Sequence, residues 1–229
     1  MHRSLSFVLL ALLSLLTSCA STPVWRSAAY GPDKPAPTLL AAAVYDFTTP
    51  ESSVNLMNLG STARQVATAI TGIKAVEATA DGMHAKITAF LQGQGFQLET
   101  DPARSQKITE AGMVGGSYTK VAEATVPRPF GDFMLFGPGS KSSIAERLQT
   151  QRPREAYASV FVGFQSPGGS LENGVTCSIW LQVLDKSGTE VFEGRTTGRA
   201  DFRKAPSAVV MEAFDGAMAA LQGNLVVQP

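Results

Sequence analysis

Val175, Cys177, Ile179, Leu181 and Val183 alternate with Thr176, Ser178, Trp180, Gln182 and Leu184. A period of two over ten residues predicts a strand with one apolar face. Ala158, Val160, Val162 and Phe164 alternate in the same way with Tyr157, Ser159, Phe161 and Gly163, and Pro167-Gly168-Gly169 turns the chain between the two runs. Asp185-Lys186-Ser187-Gly188 supplies hairpin chemistry, so residues 190–200 return as a third strand, apolar at Val191 and Phe192 and more polar afterwards.

Two segments carry the helical period instead. Val66, Ile70, Ile73, Val76, Ala80, Met83, Ile87 and Phe90 or Leu91 recur every three or four residues and lay one stripe along a long helix. Ser61 or Thr62 is the expected cap, Gly72 and Gly82 are expected to weaken the rod or divide it, and Gly93 and Gly95 close it. Val210, Phe214, Ala217 and Leu221 define a C-terminal helix that Pro206 opens and Gly223-Asn224 stops. Residues 39–47 and 95–100 read as strands on either side of the long helix, and 225–227 as a last edge strand or a segment packed back. The order predicts a two-layer α/β (α+β) sandwich, in which a long helix and a C-terminal helix cover a mixed or mainly antiparallel sheet.

Residues 101–150 resist this reading. Helical content is weak over 106–111, 118–126 is partly strand-like, and Ile144 and Leu148 suggest a short helix over 142–149. Between them Pro127, Pro129, Gly131, Gly137, Pro138 and Gly139 surround Phe130, Phe133, Met134, Leu135 and Phe136. That apolar density exceeds what a plain linker needs, and it predicts either satellite core or a contact surface.

Charge narrows the function classes. The chain holds 19 basic and 19 acidic residues, a balance with no electrostatic case for nucleic acid. Candidate chemistry is sparse. His84 reads as a helix-edge histidine and Cys177 as a buried small hydrophobe. No CxxC pair or histidine partner accompanies that thiol, so no catalytic residue, metal site or cofactor site is assigned. The glycine clusters 112–117 and 137–142 lack the spacing of a phosphate-binding loop. The candidate partner contacts are Phe130, Phe133 and Phe136 together with Glu193, Arg195 and Arg199, the last three being charges on the returning strand.

The N-terminus adds a location. His2 and Arg3 precede an almost wholly apolar run over 5–16, too short to span a bilayer, which ends in Leu16-Thr17-Ser18-Cys19. These residues resemble the signal and lipobox of bacterial lipoproteins. The resemblance implies cleavage after Ser18, a diacylglyceryl thioether on Cys19 and, because Ala20-Ser21 follows without an aspartate, the outer membrane at its periplasmic face. Removal of Arg3 with the signal leaves 18 basic against 19 acidic residues, so the lipid and not a polybasic patch would hold the membrane. The expected organisation is a signal over 1–18, a lipidated cysteine and flexible tether over 19–37, and a single domain over 38–229. In that tether Trp25 and Tyr30 are expected to rest either at the lipid surface or on the domain.

The stretches 39–47, 62–98 and 175–221 distantly resemble, in pattern, small α/β domains of envelope accessory lipoproteins such as the TolB amino-terminal domain or CsgG-like proteins. That resemblance implies a non-enzymatic accessory or scaffold that binds another envelope component. The alternatives are a carrier of a small apolar ligand or lipid and, behind it, a hydrolase that works without histidine.

Overall fold

A computed structural model describes residues 24–48, 59–99, 106–111, 115–121, 146, 148–150, 152–167 and 170–229, with the backbone alone at 42, 48, 59–66, 106–111 and 115–121. In chain order the elements are β1 (Val24–Ser27), β2 (Ala36–Thr48), α1 (Leu59–Gly93), β3 (Phe96–Glu99), β4 (Gln106–Ala111), β5 (Gly115–Val121), β6 (Ala156–Gln165), β7 (Val175–Asp185), β8 (Glu190–Ala200), α2 (Pro206–Gly223) and β9 (Leu225–Gln228). The protein is a two-layer α/β fold: one mixed sheet, with α1 and α2 side by side on one of its faces.

The strand order is β4-β5-β2-β6-β7-β8-β1-β9, with β3 paired to β2 beside β5. Strand β2 runs parallel to β6, and β6-β7-β8 form an antiparallel meander. The alternation of 158–164 and 175–184 is that meander. Its apolar phase builds rows of side chains under the helices: Tyr45, Val162, Ile179 and Thr196 form one row, and Phe47, Phe164, Cys177 and Gly198 the next. The register of β2 against β6 shifts between Leu40 and Ala42. Such a bulge sends Leu40 and Ala43 to the helix side although they are three residues apart. It explains why 39–47 shows a continuous apolar run and no clean alternation.

Ile73, Val76, Ala80, Met83, Ile87 and Leu91 of α1 are buried, as are Val210, Ala213, Phe214, Ala217 and Leu221 of α2. Glycine permits the closest approaches. The Phe47 ring lies where a side chain on Gly72 would project, and α2 passes directly over Gly198. Among the described residues no helix is long and apolar enough to cross a membrane.

Four expectations are corrected. Residues 24–37 are not a free tether: β1 inserts between β8 and β9, and β2 starts at Ala36. The cause is tertiary, because β1 completes its ladder on two other strands, and Tyr30 then packs on Phe96 at 5.4 Å between ring centroids. Residues 106–111 are strand β4, paired antiparallel to β5, and not weakly helical. Helix α1 is continuous across Gly72 and Gly82, since burial of its stripe outweighs the roughly 1 kcal/mol that each glycine costs. It also begins at Leu59, so Ser61 and Thr62 lie inside its first turn and do not cap it.

Candidate interaction surface

The helices cover one face of the sheet, and the polar phase of β6, β7 and β8 forms the other. Its rows follow from the register. Leu39, Tyr157 and Leu184 lie at one end, where Leu148 covers them and makes a small second core with Ala41. Next come Ser159, Gln182, Glu193 and Trp25, then Val44, Phe161, Trp180 and Arg195. Asp46, Gly163, Ser178 and Thr197 follow, and Gln165, Thr176 and Arg199 reach the far end. The surface thus grades from an apolar end through an aromatic middle to a hydroxyl-rich end.

Trp180 and Arg195 stand at its centre. The Arg195 guanidinium lies over the Trp180 ring, 4.1 Å from its centroid, and pairs with Glu193 at 2.8 Å. The side chain of Glu193 is 14% exposed and that of Arg195 49% exposed. Stacking and pairing hold the arginine flat on the sheet, so little side-chain freedom remains to be lost when a partner covers it. Beside them the Gln182 amide donates to the Glu190 carboxylate. Gln182 Oε1 and Ser159 Oγ, across the strand pair from one another, are buried without a hydrogen-bond partner among the described residues.

The Phe161 ring folds over Gly163, in the space a side chain there would fill. Asp46 sits opposite Gly163, and burial pushes its carboxyl up to about 6, against the smaller effect of a backbone hydrogen bond from Phe47.

Of the charges singled out from the sequence, the fold brings Glu193 and Arg195 into contact and leaves Arg199 exposed opposite Thr176, four residues along β8. Cys19, Phe130, Phe133 and Phe136 lie outside the described residues. Trp25, Phe161 and Trp180 were not selected from sequence. The signal was present for Phe161 and Trp180, large aromatics at polar-phase positions of their strands, whereas Trp25 lies in a stretch without a strand pattern. His84 is half-buried at the side of α1, and its Nδ1 lies 2.9 Å from the hydroxyl of the fully buried Tyr45. Cys177 is buried in the core, and burial raises its thiol far above the usual range, so it is no nucleophile at neutral pH.

Two open depressions lie elsewhere among the described residues. A cleft of about 360 Å³ between Pro37, Glu99, Gln149, Pro153, Arg154 and Glu155 is polar, and the Arg154–Glu99 pair at 2.6 Å occupies its wall. A groove of about 440 Å³ runs between α1 and α2 over Phe90 and Met218, bridged by Lys86–Asp215 at 2.5 Å.

No family model and no curated protein matches the chain. Among solved structures it is similar to a dodecamer of a PelC point variant from Paraburkholderia phytofirmans, with a TM-score of 0.32 and 10% identity over 85% of this chain and 91% of that one, a likeness too slight to bear on function.

Proposed function

We propose that the protein is a lipid-anchored lipoprotein of the bacterial outer membrane, facing the periplasm. Its α/β domain serves as a non-enzymatic accessory or scaffold and binds another envelope protein through the face of the sheet opposite α1 and α2. The anchor rests on Leu16-Thr17-Ser18-Cys19, with Cys19 carrying the diacylglyceryl group.

The binding role rests on one observation above all: Trp180 and Arg195 stacked at the centre of a sheet face, with Glu193 fixing the guanidinium. Tryptophan and arginine are enriched among residues that dominate protein interfaces. A half-buried aromatic with a preset cation loses little entropy on association. Phe130, Phe133 and Phe136 remain candidate contacts on sequence grounds. A second reading, a carrier of a small apolar ligand or lipid, is favoured by the groove over Phe90 and Met218.

Crosslinking and affinity recovery of the lipidated protein from native envelopes separates the two. A stoichiometric protein partner whose recovery falls about 30-fold in Trp180→Ala and in Arg195→Glu, the loss of a roughly 2 kcal/mol hot spot, supports the scaffold reading. Undiminished recovery in both variants, or co-purification of a lipid that Phe90→Asp abolishes, overturns it.

A further inference from the structure

Strand β9 is an outer edge of the sheet among the described residues, and two of its four residues, Val226 and Val227, are 52% and 51% exposed. Val226 aligns with Trp25 and Val227 with Arg26, so the two valines project to opposite faces and make the edge apolar on both sides. Natural edges are usually guarded by lysine, proline or a bulge within the strand. Leu225–Gln228 carries none of these.

The position of this edge relative to Cys19 gives it an occupant. Only residues 20–23 separate Cys19 from β1, because Val24 is already in the ladder. About five residue steps reach at most about 18 Å. Val226 and Val227 lie one strand over from Val24 and one or two residues along, about 6 to 8 Å away.

Resting on the lipoprotein reading above, we infer that the β1-β9 edge is seated on the lipid surface, with Val226 and Val227 entering the headgroup layer beside the anchor. A cysteine lipid in the acyl layer cannot be reconciled with a distant edge on so short a chain. Val226 and Val227 are the large apolar side chains that the described edge presents there. Helix α1 packs over β2, β3 and β5 whereas α2 packs over β7 and β8, so α2 separates the exposed Ala78 of α1 from this edge.

The test uses the lipidated full chain in vesicles of phosphatidylethanolamine and phosphatidylglycerol doped with a lipid carrying a nitroxide just below the headgroup. A fluorophore is attached at Val226→Cys, at Val227→Cys as a second edge position, and at Ala78→Cys. The edge labels should lose most of their emission and the Ala78 label almost none. Equal quenching at all three positions overturns the seating while leaving the anchor intact. If Cys19 carries no lipid by mass spectrometry and the protein fails to float with the vesicles, the anchoring reading falls, and this inference with it.

Discussion

The contact between α2 and the sheet makes a sharp prediction about two glycines. An alanine Cβ at Gly198 would lie 2.9 Å from the carbonyl carbon of Gly216 and closer still to the Ala213 oxygen and the Ala217 nitrogen, all of them backbone atoms of α2. A helix backbone cannot turn aside as a side-chain tip can, so α2 must lift from β8. Overpacking of this kind costs about 1–3 kcal/mol. Alanine at Gly82 meets nothing within 4 Å, and that residue lies in the middle of α1. There the substitution removes the helix cost of glycine and should stabilise by about 0.5–1 kcal/mol.

The assay is urea unfolding of the unlipidated Cys19→Ala protein followed by circular dichroism. With a slope of about 2.5 kcal/mol per molar urea, Gly198→Ala lowers the midpoint by about 0.4–1.2 M and Gly82→Ala raises it by about 0.2–0.4 M. The same chemical change thus acts with opposite sign at the two positions. A Gly198→Ala midpoint equal to or above that of the parent protein would show that α2 does not sit on β8 as described.

Asp46 has a raised carboxyl, so the folded state binds its proton more tightly than the unfolded one between about pH 4 and pH 6. Stability from this group is therefore lost as pH rises through about 6. With the shift discounted for partial exposure, Asp46→Asn should gain about 1–2 kcal/mol at about pH 7.5 and close to nothing at about pH 3.5, read as the difference in urea midpoints. Cys177 is buried with its thiol held protonated, so a maleimide at about pH 8 should label it only at the rate of unfolding, and fast labelling of the native protein would contradict its place in the core. Tyr45→Phe removes the hydroxyl that bonds His84 and should cost about 1 kcal/mol, whereas an unchanged midpoint would mean that this bond holds no part of α1 on β2.

Local periodicity was enough for the meander, the two helices and the layer arrangement. Each of these elements buries a face of its own, and a face must repeat with the period of its backbone. The alternation through Ile179 and Trp180 predicted which side of β7 meets the helices, and the stripe did the same for α1 from Ile73 to Leu91, although Ile70, placed on the same stripe, is exposed.

Elements stabilised mainly by distant partners were not legible. Strand β1 has four residues and no pattern of its own, and it exists because β8 and β9 offer it two ladders. Strand β4 likewise takes its form from β5. The candidate surface divides in the same way. Glu193, Arg195 and Arg199 were visible as charges on one strand, but only the pairing of β7 with β8 sets Trp180 beneath Arg195 and leaves Arg199 apart. Sequence thus determined which residues share a face of an element. Tertiary structure decided which elements became neighbours, because strand pairing joins residues that are remote along the chain.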